Sequence, residues 1–239
     1  MSEPDPQPTS EALLRPVRLG NAFEDTVGRL LETIKLGLLA PGESLPPERE
    51  LATRLGVSRD TVREAIKSLA EAGYLVSRRG RYGGTFLADE LPSSSADGVR
   101  FSRADIDDSL RLREILEVGA ARMAAGRTLT AAERETLWAK LVDVRGAPPE
   151  DYRRLDSRLH LAIAEAAGAP SLVPLVAENR MRLNEMLDHI PLLARNIVHS
   201  DEQHEAIVMA ILAGDGERAG EVMAAHVCGS AALLHGFLD

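Results

Sequence analysis

The sequence predicts a mainly α protein in two parts: a small helical domain closed by a β-hairpin, then an all-α antiparallel bundle of six or seven helices. Three observations predict it. Residues 48–69 hold two short amphipathic patterns separated by Gly56. Two runs of β-formers, Tyr74–Arg79 and Thr85–Leu87, flank the glycine-rich stretch 80–84. Beyond about residue 104 no run alternates at period two, and Ala and Leu recur at helical spacing. A length of 239 residues leaves room for two modest cores.

In chain order, residues 1–19 are polar, acidic at the start and proline-containing, which predicts a disordered arm rather than a signal peptide. Residues 22–38 keep Phe23, Val27, Leu30, Leu31, Ile34 and Leu38 on one helical face, and Pro41-Gly42 stops that helix. Glu48–Leu55 forms a short helix with Leu51, Ala52 and Leu55 inward, ended by Gly56. In the next helix Val62, Ala65, Ile66 and Leu69 make the apolar face, with Ser58 at the N-cap. Arg59, Arg63 and Lys67, four apart, project from the opposite face. Helix, glycine turn and cationic helix is the pattern that reads a DNA major groove. A surface helix pair with solvated cations has the same pattern. The hairpin tips the balance, because Arg78, Arg79 and Arg81 lie at or near its tip, where a "wing" meets phosphates or a narrow minor groove. The winged helix-turn-helix domain is thus expected over 20–90. The stretch 91–103, with Pro92, four serines and Gly98, has little to bury and reads as a linker.

Residues 104–239 are expected to form one helical domain. Helices fall near 105–125, 130–143, 150–167, 171–188, 192–199, 200–213 and 216–237. Thr130 with Glu133, and Ser200 with Gln203, fit the capping box at two helix starts.

The net charge of −9 is unevenly divided. Residues 49–81 hold eight cations against four acids, a local +4 confined to the motif, as a sequence-specific DNA module requires. No stretch looks apolar for long enough to span a membrane. The single Cys228 excludes a disulfide within the chain and fits a reducing cytoplasm.

Inside the second half, four polar residues sit on apolar stripes, where polar groups are costly. Asp156 and His160 are neighbours at i, i+4, flanked by Leu155, Leu159 and Ile163. His204 shares a stripe with Ile207, Val208 and Ile211, and His226 with Val222, Met223 and Val227. Each histidine alone also suits a satisfied core position. Together, three imidazoles and a carboxylate from three helices suit a divalent transition metal such as Zn, Ni or Mn. Arg113 and Glu117 share an inward face with Ile106, Leu110, Ala120 and Ala124. They read either as a structural buried ion pair or as a holder for an anionic effector, since guanidinium grips carboxylate bidentately. Arg180, Arg182 and Asn184 are further candidates for lining such a pocket.

Leu45-Pro46-Pro47-Glu48-Arg49-Glu50-Leu51-Ala52, Val57-Ser58-Arg59-Asp60-Thr61-Val62-Arg63-Glu64-Ala65 and Gly83-Gly84-Thr85-Phe86 resemble the DNA-binding domain of the GntR family of bacterial transcription regulators. The resemblance implies DNA contacts at Arg49, Ser58, Arg59, Thr61 and Arg63 and at the wing residues Arg79, Gly80 and Arg81. Asp60 either accepts from a cytosine amino group or pairs with a neighbouring arginine. Asp156-Ser157-Arg158-Leu159-His160, His204-Glu205-Ala206-Ile207 and the run from Ala219 to His226 resemble the metal-binding form of the FadR-type FCD domain, as does Arg113-Glu114-Ile115-Leu116-Glu117. That resemblance implies metal ligands Asp156, His160, His204 and His226, with Arg113 and Asn184 at the effector. One departure is Ala169, where such domains often carry Asn. The expected function is a homodimeric regulator, a repressor on the resemblance alone, binding a palindromic double-stranded operator under control of a small carboxylate metabolite. Rival readings are a purely structural metal, a metal-free ligand pocket, and a metalloenzyme joined to a DNA-binding domain.

Overall fold

The structure, a computed structural model, describes residues 21–35, 39–78, 80, 83–92 and 101–238. They fall into two compact units, one reaching to residue 92 and including 235–238, the other spanning 101–234.

The first unit holds α1 (Ala22–Lys35), α2 (Glu48–Leu55), α3 (Arg59–Glu71), β1 (Leu75–Arg78) and β2 (Gly84–Leu87). Leu38, assigned to the first helix from sequence, lies outside the described residues. The apolar face of α3 is fully used: Val62, Ala65 and Leu69 have no exposed surface, and α3 packs on both α1 and α2. Burying such side chains stabilises the unit by roughly 1.5–3 kcal/mol each. Gly56 makes the turn into α3. Its φ of 68° is left-handed, a region where a Cβ is strained, and its N–H closes α2 on the Ala52 carbonyl. Ser58 Oγ then accepts from the Thr61 N–H at 3.0 Å, satisfying an orphan donor at the start of α3.

The two strands pair antiparallel in the register Leu75↔Leu87 to Arg78↔Gly84. The chain before α2 adds to this hairpin: Leu45 N–H bonds to Thr85 O at 2.8 Å and Leu87 N–H to Glu43 O at 2.9 Å. That pairing anchors the base of the wing beside the helices. The unit also takes in the last turn of the chain, where Phe237 meets Tyr74 edge-on at 5.8 Å.

The second unit is built from α4 (Arg103–Ala125), α5 (Ala131–Arg145), α6 (Pro149–Ala166), α7 (Leu172–Leu187), α8 (Ala194–Ala213) and most of α9 (Gly216–Leu238). Helix α6 packs against α4, α5 and α7, and α8 against α4 and α5. Leu137, Leu159, Ile163, Ile207 and Met223 are sealed in one core. Where α9 starts, the arm of Arg122 lies against Gly220, and a Cβ there would collide with it. This close approach brings α9 onto α4.

Two sequence expectations change. Residues 192–199 and 200–213 form one helix, and Ser200 lies inside α8 rather than at a cap. Leu193, Ser200, His204, Ile207 and Ile211 are all buried, so the face runs on through the serine; one serine costs a helix far less than breaking that face would. His199 is accordingly a mid-helix residue. Helix α9 is also long and apolar enough to cross a membrane, with mean hydropathy 1.3 over its best window, contrary to the expectation that no stretch is. Its Ala219, Val222, Met223 and Val227 are instead buried in the bundle core.

A sequence-expected cap is present at α5: Thr130 Oγ1 accepts from the Glu133 N–H, and Glu133 returns to the Thr130 N–H at 2.7 Å. Thr130→Ala is expected to lower the unfolding free energy by about 1 kcal/mol, measured by urea titration. An unchanged midpoint would show the cap to be idle.

Candidate DNA-reading face and metal centre

The outward side of α3 carries Arg59 and Arg63 in solvent, and Arg49 and Ser58 are exposed beside them; Thr61 is half-buried. Arg63 is held from two sides, Nη1 on Asp60 Oδ1 at 2.8 Å and Nη2 on Glu48 Oε2 at 3.3 Å. Of the two roles open to Asp60, the structure shows the arginine partner. On the hairpin, Arg78 lies over the Phe86 ring at 4.7 Å, which fixes a cation near the tip of the wing. Gly80 is exposed with φ 113°, while Arg79 and Arg81 lie outside the described residues.

In the helical unit the four sequence-expected ligands converge. Asp156 and His160 come from α6, His204 from α8 and His226 from α9, and one donor atom from each lies within 4.8 Å of the others. His204 Nε2 stands 3.1 Å and His160 Nε2 3.6 Å from the same oxygen, Asp156 Oδ1. The imidazole centroids are 4.6–5.4 Å apart. All three rings are buried, and none of their Nε2 atoms has a hydrogen-bond partner of good geometry among the protein atoms. Three orphaned buried nitrogens facing one carboxylate fit a divalent cation with nitrogen and oxygen preference.

The electrostatics agree with that fit. Burial pushes His204 toward the neutral imidazole despite the Asp156 carboxylate beside it. Burial, reinforced by His204 and His160, holds His226 well below the ordinary histidine range. Neutral imidazole is the form that ligates. Burial alone would keep Asp156 protonated, but the Arg180 guanidinium overrides it and holds the carboxyl well below the usual carboxylate range.

Arg180, on α7, is the functional residue that sequence reasoning underweighted. Fully buried, it ion-pairs with Asp156 Oδ2, reaches Ser157 Oγ at 3.2 Å and lies 3.7 Å from Glu117 Oε1. Its place beside the buried Val176 and Leu183 on a helical stripe was the available signal. Arg113 is buried as expected, its Nε donating to Glu117 Oε2 at 3.0 Å, and its Nη1 has no hydrogen-bond acceptor. Glu117 also stands 2.9 Å from His160 Nδ1. Burial opposes its ionisation, yet Arg113 and His160 together keep it charged.

Asn184 falls outside the ligand cluster. It donates to Ser157 Oγ at 3.0 Å on a cleft of about 680 Å³ between α6 and α7, lined also by Arg153, Arg154 and Asp188. Arg182 is exposed.

A winged helix-turn-helix with an exposed cationic recognition helix, carried in one chain with an all-α unit, defines a DNA-binding protein with a helical accessory domain. Residues 23–87 match the bacterial regulatory proteins of the gntR family, and residues 108–228 match the FCD domain. The putative L-lactate dehydrogenase operon regulatory protein of Escherichia coli K12 is 32% identical over 241 residues, covering 90% of this chain and 86% of that one. LutR, an HTH-type transcriptional regulator of Bacillus subtilis 168, is 29% identical over 217 residues, covering 86% and 98%. Among solved structures, E. coli McbR/YncC shares the fold with a TM-score of 0.50 at 22% identity, over 91% of this chain and 97% of that one. The chain belongs to the GntR family of bacterial transcription regulators, with an FCD domain as its helical unit. It is a DNA-binding transcription regulator and, like these relatives, not an enzyme.

Arg63→Ala is expected to weaken operator binding in a titration at several salt concentrations. If Arg63 meets a phosphate, the slope of log K against log salt flattens by about 1; if it reads a base, discrimination at one base pair drops by about 1–3 kcal/mol. Binding unchanged in strength, slope and specificity would remove Arg63 from the interface.

Proposed function

We propose that the protein is a homodimeric repressor of the bacterial cytoplasm, acting at the nucleoid, whose affinity for a palindromic operator is set by a small carboxylate bound at a divalent metal in the helical unit. Asp156, His160, His204 and His226 would hold the metal, and the observation that carries this is their convergence with three orphaned Nε2 atoms. When bound, such an ion supplies Lewis acidity and open coordination positions that an acid can fill. The chain's own residues do the rest. Asp156 stays anionic because Arg180 is paired with it. Arg113, buried and with Nη1 unmatched, offers a guanidinium edge to an incoming carboxylate. The relative named for an L-lactate dehydrogenase operon supports a small acid as the signal. On the DNA side Arg49, Ser58, Arg59, Thr61, Arg63, Arg79, Gly80 and Arg81 would contact the operator.

A two-fold assembly is supported by the solvent face of α4. Leu112 and Ile115 are 38% and 71% exposed there, with Asp108 and Arg122 at either end. Seven residues separate Ile115 from each, so a two-fold axis through Ile115 sets Asp108 opposite Arg122 of a second copy and Leu112 opposite Val118. That is a self-complementary surface, apolar at its centre and charged at its ends.

Two measurements test the reading. L-lactate and related hydroxy and dicarboxylic acids are to be added to metal-loaded protein in an operator-binding assay. One acid is expected to shift affinity by about 5–150-fold, the range of a coupling free energy of about 1–3 kcal/mol, with no shift after chelation or in His204→Ala. Loss of stability on chelation without any acid response would leave a metal that only braces the bundle. Separately, Ile115→Glu is expected to convert a dimer to monomers in sedimentation equilibrium of the full-length protein. A dimer that survives the substitution would place the interface elsewhere.

A further inference from the structure

Each imidazole of the cluster has two nitrogens, and a ligand must present the one without a proton. A neutral histidine places its proton where an acceptor waits, so whatever faces Nδ1 decides whether Nε2 is free. Two of the three histidines have an oxygen within reach of Nδ1, that of His226 in hydrogen-bond geometry and that of His160 by distance alone. Gln203 Oε1 is 3.1 Å from His226 Nδ1, reaching from α8 to α9. Glu117 Oε2, on α4, is 2.9 Å from His160 Nδ1 on α6. The third differs: Asp201 Oδ1 is 4.0 Å from His204 Nδ1, too far for a direct hydrogen bond. His204 instead has Nε2 beside Asp156 Oδ1 at 3.1 Å.

We propose that Gln203 and Glu117 are positioning residues of the metal centre, holding His226 and His160 in the tautomer and ring orientation that turn Nε2 toward the ion. The proposal rests on the metal-site reading and adds two residues that do not touch the ion. Their roles differ in kind. Gln203 is half-buried and uncharged, so it directs the His226 proton without contributing charge. Glu117 is a carboxylate shared by His160 and Arg113, so it also sets a negative charge behind the His160 ring. An anion that engaged Arg113 would therefore act on the same carboxylate that orients a ligand.

The test uses full-length protein stripped of metal and titrated with zinc against a chromophoric chelator, and with cobalt(II) followed by its visible spectrum. Gln203→Leu removes the acceptor with similar volume. It is expected to loosen zinc by about 10–100-fold, and to change the cobalt band shape, while the melting temperature of the metal-free protein stays near wild type. Gln203→Glu restores an acceptor and is expected to bind zinc within a few-fold of wild type. Glu117→Gln, which keeps a carbonyl in place, is expected to loosen zinc by a similar factor. Because it also strips Arg113 of its counter-charge and can unfold the unit, the Gln203 variants decide the outcome. Folded Gln203→Leu with wild-type zinc affinity and an unchanged cobalt spectrum overturns the proposal, as does a loss that Gln203→Glu fails to rescue. If wild-type protein itself binds neither ion, the metal-site reading falls, and the positioning role with it.

Discussion

Charge cannot remain inside a helical bundle unless an opposite charge or an ion stands against it, and the helical unit is arranged around that constraint. Two carboxylates, Asp156 and Glu117, and two guanidinium groups, Arg113 and Arg180, are buried within reach of one another and of three imidazoles. They come from α4, α6, α7, α8 and α9, so the polar centre ties together all the helices of the unit except α5. Each pair is a poor source of net stability, because desolvation offsets most of the attraction. What the arrangement provides is specificity: shifting one helix along another strands a buried charge, which costs far more than lost packing. An ion or acid entering such a centre would change the balance that holds five helices in register.

The DNA-binding unit solves the opposite problem. Its core is apolar and its charges are outside, where ion pairs are weak and screened. Arg63 illustrates the difference. Asp60 and Glu48 hold its guanidinium over the junction of α2 and α3, but both acids are themselves solvated, so a phosphate or base edge can displace them at little cost. The same pairing keeps the cation poised over the reading face before DNA arrives. The acidic total charge of the chain does not interfere, because screening confines each field to about 8 Å at physiological salt and the motif carries its own excess of cations.

Much of the donor cluster was legible in sequence because burial leaves a mark there. A histidine on a stripe of Ile and Val has no apolar reason to be where it is, and the i, i+4 spacing of Asp156 and His160 follows from helix geometry alone. The sequence says less wherever a residue's meaning depends on another helix. Arg180 is one more basic residue on α7 until Asp156 is set against it. Asn184 has the right chemistry for an effector contact, yet its position on α7 directs it to Ser157 and the cleft instead of the ligand cluster. Ser200 with Gln203 fits a capping box by local rule, and the continuous buried face of α8 overrules it.

The sequence by itself determined the two-part plan, the helix-turn-helix with its glycine turn and serine cap, and the residue types of a nitrogen and oxygen donor set. Those features are written in spacings of three, four and seven residues, which the geometry of one helix converts directly into a face. Tertiary structure alone decided that donors up to 70 residues apart share a centre, that Arg180 rather than Asn184 stands beside it, and that Gln203 and Glu117 lie behind the rings. Packing between helices sets those relations, and no periodicity along the chain records which helix will become whose neighbour.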